Sequence, residues 1–266
     1  AQVDGNLWSI PFQRSTAVLY YNKDAFAEGG LDPEAYPKTW DDMVAAGKAV
    51  LKKDASGQVT RWGVGIPGNI GSSQWLFGAL VAQNGARLAN EEGTKTYLTD
   101  PKVIEALQFW VDVSSKDGIH PAGIQEWGTT PQDFLEQRIA MIWTTTGNLT
   151  NIRKNASFKF GLAPYPGNPK PASVLGGGNF YIFKGAPDDQ KEAAFKLIKF
   201  LTSDEILADW GIQTGYIAPR DGSWETPALK EYAAKVPEIL VAKNQIPDSV
   251  PEFSTHENAR TTKVLN

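Results

Sequence analysis

The feature that most constrains this chain is a run of three glycines at residues 176–178, which leads into an apolar and aromatic stretch at 180–183. Glycine adopts backbone torsions that a Cβ forbids, and it lets a ligand approach the main chain closely. The β-branched and aromatic residues that follow are typical of a buried strand. The run therefore predicts one of two things: an ordinary tight turn before a strand, or a hinge or ligand contact made by main-chain N–H groups.

Length and composition limit the classes of protein to which this chain can belong. The 266 residues suffice for one large domain or two lobes, and a hydrophobic fraction of 41% predicts a substantial core. The net charge of −4, with both signs well mixed, gives no indication of a nucleic-acid or anionic-membrane surface. The lack of cysteine excludes disulfides, Cys-ligated zinc and thiol catalysis, and it is compatible with an oxidising compartment.

Hydrophobic periodicity predicts strands and helices in mixed order. Strands are expected at 7–12, 17–21, 62–67, 139–143 and 180–183, and the longer helices at 39–53, 74–83, 187–201 and 227–241, with others starting near 101, 131, 149, 203 and 255. The polar residues 13–16 between the first two strands predict a loop that presents an arginine and hydroxyls. The threonines at 144–146 predict either ligand-facing hydroxyls at a helix start or an ordinary helix cap.

The sequence lacks the usual motifs of catalysis. The two histidines are not spaced as metal ligands, and no nucleophile elbow, phosphate-binding loop or dinucleotide motif occurs. Carboxylates such as Glu126 and Asp133 could in principle form the acid and nucleophile of a glycosidase, although solvated surface groups are the commoner case. We therefore expect a binding protein without enzymatic activity, metal or cofactor.

The order of several motifs resembles the solute-binding proteins of ABC carbohydrate importers, and within them the glycerol-3-phosphate-binding subgroup. The resemblance rests on the segment PFQRSTAVLYYNKDAF at 11–26, the motif GLDP at 30–33, Thr39-Trp40, residues 140–147 and 151–153, the glycine run, and residues 210–216. It covers nearly the whole chain.

This resemblance implies an α/β fold of two lobes, the class II periplasmic-binding-protein type, with several hinge crossings and a ligand cleft between the lobes. It assigns residues 1–16 and 173–245 to the N-terminal lobe, and 17–172 and 246–266 to the C-terminal lobe. It also implies that the N-terminal lobe is incomplete and the chain truncated. We then expect exposed apolar surface beside 180–183 and on the helix 187–201, and weak ligand binding by the isolated chain.

The resemblance further places Ser15, Thr145, Gly177 and Tyr216 at ligand-contact positions. Threonine at 145 replaces a serine and keeps the hydroxyl. Hydroxyls and glycine N–H groups can hold phosphate or polyol oxygens without a full counter-charge. Trp75 either stacks on the ligand or is part of the core.

Two further positions remain open. Trp143 is either a second stacking residue or part of the core. The subgroup's basic residue near the C-terminus has no clean match: Thr255 stands roughly in its place, with His256 and Arg260 nearby, and Arg14 could supply the positive charge instead. Whether the ligand is phosphorylated or neutral therefore stays open.

The implied function is that of the extracytoplasmic solute-binding component of an ABC importer. It would capture a sugar, polyol or glycerol-3-phosphate-like ligand and deliver it to the permease subunits, and it would not bind nucleic acid. The expected location is the periplasm, or the outer face of a Gram-positive membrane, with the full-length protein a monomer. The alternative is a glycosidase-like sugar-processing enzyme.

Overall fold

The computed structural model describes residues 2–3, 5–69, 72–255 and 257–265, which form a mixed α/β fold. The strands are β1 (Gln2–Val3), β2 (Asn6–Leu7), β3 (Ile10–Asn22), β4 (Lys52–Lys53), β5 (Val59–Gly65), β6 (Ile139–Thr145), β7 (Phe160–Ala163), β8 (Ser173–Phe180) and β9 (Ser249–Val250). The strands β4-β5-β6-β3-β8-β9 lie side by side in that order, and β7 also pairs with β3.

Helices pack on both faces of this sheet. They are α1 (Lys23–Glu28), α2 (Trp40–Val50), α3 (Ser72–Gln83), α4 (Pro101–Ser115), α5 (Thr130–Leu135), α6 (Leu149–Asn155), α7 (Asp188–Leu201), α8 (Asp204–Thr214), α9 (Asp221–Glu225), α10 (Pro227–Lys235), α11 (Glu238–Gln245) and α12 (Asn258–Leu265). None of the helices in the described ranges has the length and apolar character that crossing a membrane requires.

Local signals located most helices correctly. Thr39 caps α2 and forms the predicted capping box with Asp42, although the helix ends at Val50 rather than at 53. Asp100 caps α4, and Pro101 takes its first position as predicted. The single helix expected at 227–241 is instead two helices, α10 and α11, because Pro237 interrupts it.

The long strand β3 lies at the centre of the fold. Its first half, from Ile10 to Thr16, pairs antiparallel with β8, and its second half pairs antiparallel with β6 and β7. The prediction of a polar loop at 13–16 is wrong, since these residues continue the strand without a break. Pairing with a distant strand satisfies the backbone at these positions and overrides their polar composition.

The two faces of β3 belong to two hydrophobic cores. Ala17, Leu19 and Tyr21 lie in the core that includes α2, α3 and α4, whereas Val18 and Tyr20 lie in the core that includes α8, α10 and α11. The second core thus joins residues on both sides of position 173. The division of the chain into lobes stays a prediction.

The glycine run is part of a strand and not a turn before one. Residues 176–178 lie inside β8, which ends at Phe180. The buried strand predicted at 180–183 is wrong, because 181–183 have no regular structure and Phe183 is 79% exposed. Aromatic residues favour strands only where neighbouring strands and packing partners are present.

The carbonyl of Ala17 anchors the point where β3 passes from one pairing to the other. It accepts hydrogen bonds from the Ser173 hydroxyl at 2.9 Å and from Gln245 Nε2 at 2.7 Å. Gln245 is buried, and its Oε1 accepts from the backbone N–H of Tyr165 at 3.0 Å. One side chain of α11 therefore binds the main chain of both β3 and the segment after β7.

An exposed apolar surface lies where the sequence predicted it. Around 181–183 and on α7, large apolar side chains face solvent: Tyr181, Ile182, Phe183, Phe195, Leu197 and Phe200. On α7 only Ile198 is buried. Exposed large apolar side chains of this kind favour association with another protein surface.

We expect Gln245→Met to lower the free energy of unfolding by about 1–3 kcal/mol, because methionine has a similar shape but leaves the Ala17 carbonyl and the Tyr165 N–H without this partner. Urea unfolding measures the change. Gln190→Met on the exposed face of α7 is the control and should leave stability within about 0.5 kcal/mol. Equal effects of the two substitutions would show that the buried hydrogen bonds contribute little.

We also expect the 266-residue chain to self-associate through the surface around α7 at micromolar concentration. Leu197→Lys should shift the sedimentation profile toward the monomer by placing a charge in this surface. Val111→Lys is the matched control, since Val111 is a similarly exposed apolar residue on α4. A monomeric parent chain, or an equal response to both substitutions, would contradict this expectation.

Candidate functional site

A cavity of about 500 Å³ opens where β3, β6 and β8 come close to the loops that precede α3 and α5. Its size lies in the range typical of small-molecule sites, roughly 300–1,000 Å³. The lining combines hydroxyls, glycine backbone, two tryptophans, an amide and a carboxylate: Ser15, Asn69, Trp75, Trp127, Gly128, Thr145, Gly176, Gly177, Tyr216 and Glu252.

The glycines bring backbone close to the cavity. Gly176 pairs with Ser15 across β3 and β8, and Gly177 pairs with Arg14. A Cβ on Gly176 would lie 2.8 Å from Ser15 Oγ and 3.0 Å from Trp75 Cζ2, so a side chain would occupy the cavity wall. Gly177 has φ of +115°, and a Cβ there would collide with the carbonyl oxygen of Gln13. Both positions therefore require glycine, one for space and one for backbone conformation.

Tyr216 reaches the cavity because the residue after it pairs with β3. Arg14 N–H donates to the Ile217 carbonyl at 3.1 Å, and Ile217 N–H donates to the Arg14 carbonyl at 2.7 Å. Gly215, in a left-handed conformation with φ of +95°, ends α8 just before this bridge. The Tyr216 ring then packs against Gly147, where a Cβ would come within 2.7 Å of the ring carbons.

Thr145 lies at the end of β6, where it caps a short helix and also lines the cavity. Its Oγ1 accepts a hydrogen bond from Gly147 N–H at 3.2 Å and so caps the short 3₁₀ helix at 146–148. The same residue lines the cavity. Because a hydroxyl that accepts can also donate, capping leaves the Thr145 proton for another acceptor.

Two tryptophans form a perpendicular pair at the cavity. The ring centroids of Trp75 and Trp127 are 5.8 Å apart, with an interplanar angle of 79°. Trp75 Nε1 donates to the Leu175 carbonyl at 3.4 Å, and the backbone N–H of Trp127 donates to Asn69 Oδ1 at 3.0 Å. The first bond ties the Trp75 ring to β8, and the second ties the backbone of Trp127 to the loop before α3.

Glu252 is the carboxylate of the cavity. Although the residue is exposed overall, neighbouring protein atoms displace enough water to raise the pKa of its carboxyl group above the ordinary value. Among the lining residues that the structure describes, no lysine, arginine or histidine accompanies it.

Five of the six residues predicted for the site line this one cavity: Ser15, Trp75, Thr145, Gly177 and Tyr216. Arg14 does not. Its guanidinium donates to the Gly176 carbonyl at 3.5 Å and to the Asn179 side chain, and burial lowers its pKa. This arrangement makes Arg14 a support of β8 and does not support a role in neutralising a ligand.

The structure also locates two of the residues whose role the sequence left undecided, Trp143 and Thr255. Trp143 is fully buried and packs on Tyr165 with ring centroids 4.4 Å apart, so it belongs to the core. Thr255 lies at a separate surface depression beside Thr94 and Thr261. His256 lies outside the described residues.

Sequence reasoning missed Asn69, Trp127, Gly128, Gly176 and Glu252 as lining residues. The flexible glycine-containing loop before α3 and the glycine run gave a usable signal for Asn69 and Gly176. Trp127 and Glu252 gave none, because neither stands in a motif and both reach the cavity through contacts between distant segments.

The carboxylates considered for glycosidase chemistry are not part of this cavity. Glu126 is exposed, and Asp133 accepts hydrogen bonds from Arg138 at 2.9 Å and 2.5 Å. Over the described ranges, no group of three or more His, Asp or Glu side chains is arranged to hold a metal ion.

We expect Gly177→Ala to lower the free energy of unfolding by at least about 1 kcal/mol, because its backbone conformation is strained for residues with a Cβ. Thermal or urea unfolding measures this loss. Gly178→Ala is the matched control, since a Cβ there would lie no closer than 3.8 Å to the Gln13 side chain. The explanation fails if the two variants unfold alike.

Comparisons with known proteins agree with this architecture. A family model described as bacterial extracellular solute-binding protein matches residues 1–237. The sn-glycerol-3-phosphate-binding periplasmic protein UgpB of Escherichia coli O6:K15:H31 is 31% identical over 259 residues, which cover 93% of this chain and 57% of that protein. The protein of the same name from Pectobacterium atrosepticum is 30% identical over 259 residues, covering 93% of this chain and 56% of that protein.

Solved structures show the same fold. The crystal structure of UgpB from Mycobacterium tuberculosis in complex with glycerophosphocholine matches with a TM-score of 0.83 and 27% identity, covering 94% of this chain and 61% of that chain. Maltose-bound T. maritima MalE3 matches with a TM-score of 0.83 and 25% identity, covering 99% of this chain and 67% of that chain. This chain spans little more than half the length of the curated relatives that it matches. The family model and these relatives together show that it belongs to the bacterial extracellular solute-binding proteins.

Proposed function

We propose that this chain forms the major part of a solute receptor that captures a small polar ligand and delivers it to an ABC permease. The ligand would be a sugar, a polyol or a glycerol phosphate derivative. The receptor would act outside the cytoplasm, in the periplasm or anchored at the outer face of a Gram-positive membrane, and without enzymatic activity. The whole protein would be a monomer.

The observation that carries this proposal is the convergence of five residues that the sequence indicates as ligand contacts or as a stacking ring. Ser15, Trp75, Thr145, Gly177 and Tyr216 come from five separate segments and line one cavity. Three of them offer hydroxyls, one offers close backbone and one offers an aromatic face. This set can hydrogen-bond a polyol and stack on its apolar face.

The relatives support this range of ligands. The UgpB of Escherichia coli is named as an sn-glycerol-3-phosphate-binding protein. The UgpB of Mycobacterium tuberculosis was solved with glycerophosphocholine, and T. maritima MalE3 was solved with maltose. Hydroxyls and backbone N–H groups can hydrogen-bond both phosphate oxygens and sugar hydroxyls, so the described lining is compatible with all three classes.

Ligand capture in this proposal is closure of two lobes around the cavity. Residues 1–16 and 173–245 would form one lobe, and 17–172 and 246–266 the other. Tyr216 and Gly177 would then line one wall and Thr145 the other, with Ser15 at the crossing between them. A ligand that contacts both walls stabilises the closed state through its differential affinity.

Arg14 enters this proposal as a supporting residue. Its bonds to the Gly176 carbonyl and to Asn179 hold the strand that carries the glycines. The described part of the cavity wall thus offers an anionic ligand hydrogen bonds rather than a fixed positive charge.

We expect a ligand of this range to raise the midpoint of thermal unfolding by several degrees, since saturation at 100 Kd adds about 2.7 kcal/mol. The panel is maltose, glycerol, sn-glycerol 3-phosphate and glycerophosphocholine. Tyr216→Phe should weaken binding about tenfold, by the loss of one hydroxyl contact. Tyr232→Phe, whose hydroxyl accepts from Arg153 on the surface, is the control and should bind as the parent does.

Two results would overturn the proposal. One is the absence of binding by any member of the panel in calorimetry, at concentrations up to about 1 mM. The other is turnover of a glycoside or phosphoester by the pure protein that disappears when a single carboxylate is substituted, which would favour the enzyme instead.

A further inference from the structure

The hydroxyl of the buried residue Tyr20 holds the backbone at the end of β6. Tyr20 lies on β3 and is fully buried in the core that includes α8, α10 and α11. Its Oη donates to the carbonyl oxygen of Thr145 at 3.3 Å and to that of Thr146 at 3.4 Å. One proton is thus shared between two successive carbonyls, in a three-centre bond. The contact is made where β6 passes into the 3₁₀ helix at 146–148.

Burial makes this contact matter more than a surface hydrogen bond. It holds the pKa of the Tyr20 hydroxyl well above the ordinary value, so the group keeps its proton and remains a donor. In the interior a hydrogen bond is electrostatically stronger than in water, and no solvent replaces a donor that is removed. We therefore expect the position of the turn at 145–147 to depend on this one hydroxyl.

The segment that follows α8 packs directly on the same turn. A Cβ on Gly215 would lie 2.6 Å from the carbonyl oxygen of Thr146. A Cβ on Gly147 would lie 2.7 Å from two carbons of the Tyr216 ring. The two glycines thus allow contacts so close that a displacement of the turn must also displace Tyr216.

All three hydroxyls of the described cavity lining are linked through this contact. Thr145 lines the cavity from the turn itself, and Tyr216 lines it from the segment packed on the turn. Ser15, the third, lies on β3, the same strand that carries Tyr20. The Tyr20 hydroxyl therefore ties the turn that determines the place of two hydroxyls to the strand that carries the other.

We propose that Tyr20 is a positioning residue for the ligand, whose hydroxyl sets the spacing of Thr145 and Tyr216 relative to Ser15. It acts through these residues, because it is buried in the core and is not among the described lining residues. Hydrogen bonds weaken steeply as their geometry degrades, so a displaced turn weakens several ligand contacts at once. The inference rests on the proposed function, since it concerns how the same cavity holds its polar ligand.

Tyr165 offers a matched control within the same fold. It is fully buried too, and its ring packs on Trp143. Within the described residues its hydroxyl has no hydrogen-bond partner. Tyr165→Phe therefore removes a buried tyrosine hydroxyl alone, whereas Tyr20→Phe removes the same group together with its bonds to Thr145 and Thr146.

Calorimetry on the 266-residue chain with maltose, sn-glycerol 3-phosphate and glycerophosphocholine tests the proposal. Tyr20→Phe should weaken the ligand that the parent chain binds most tightly by about three- to tenfold. Tyr165→Phe should leave that affinity within about twofold. Urea unfolding of both variants separates the alternatives, because a role in stability alone would lower the free energy of unfolding of Tyr20→Phe without changing the affinity of the folded chain.

Combination with Tyr216→Phe tests the route of the effect. In the parent chain this substitution should weaken binding about tenfold, by the loss of one hydroxyl contact. In the Tyr20→Phe chain its cost should fall to about threefold or less, because a displaced Tyr216 has less to lose. Residues that act through one another are non-additive in such a cycle.

The position of the turn can also be measured without a ligand. The Gly147 α-proton that faces the Tyr216 ring should show an NMR shift displaced by the ring current, since the two groups are in contact. Tyr20→Phe should reduce this displacement, and Tyr165→Phe should retain it. Gly147→Ala reaches the same contact without touching the core, and it should weaken binding as Tyr20→Phe does.

The outcomes separate this inference from the proposed function. Unchanged affinity in Tyr20→Phe, equal losses in Tyr20→Phe and Tyr165→Phe, or additive losses with Tyr216→Phe would overturn the positioning role and leave the receptor in place. An unchanged Gly147 signal in Tyr20→Phe would also overturn it. If the parent chain binds none of the three ligands, the proposed function and this inference fall together.

Discussion

The fold depends on one strand that is shared by two pairings. In β3 the residues from Ile10 to Thr16 pair with β8, and those from Ala17 onward pair with β6 and β7. At the change of partner, the Ala17 carbonyl accepts hydrogen bonds from the side chains of Ser173 and Gln245. Buried backbone groups must find partners, and here two distant side chains supply them. The strand therefore continues through this point, and from Gln13 to Thr16 it stays in regular register with β8, which places Ser15 opposite Gly176.

From this register follows the position of the cavity. Because β3 remains a strand through residues 13–16, its edge is available for the bridge between Arg14 and Ile217, which brings Tyr216 to the cavity. The opposite pairing brings Gly176 and Gly177 to the same place. Small residues at 147, 176 and 177 make room for side chains from other segments. The site is thus a product of strand pairing and of absent side chains more than of any single motif.

The sequence predicts those parts of the structure that depend only on residues adjacent in the chain. The cap at Thr39 and the proline after Asp100 determine where α2 and α4 start, and both were found correctly. Residues 13–16 and 181–183 were assigned wrongly, because their state depends on whether a distant strand pairs with them. Tyr216 and Thr145 could be placed from the resemblance to a family. Glu252 could not, since only the contacts of β9 and Phe253 bring it to the cavity.

The cavity draws its lining from positions as far apart as Ser15 and Glu252, nearly the full length of the chain. Contacts of such large sequence separation require most of the chain to be ordered, so they form late in folding. A ligand that bridges them would stabilise interactions that are absent from the transition state. Such a ligand slows unfolding and leaves the folding rate nearly unchanged. Under the proposed function the ligand binds only after folding, so its binding would extend the lifetime of the native state against proteases without changing how fast the chain folds.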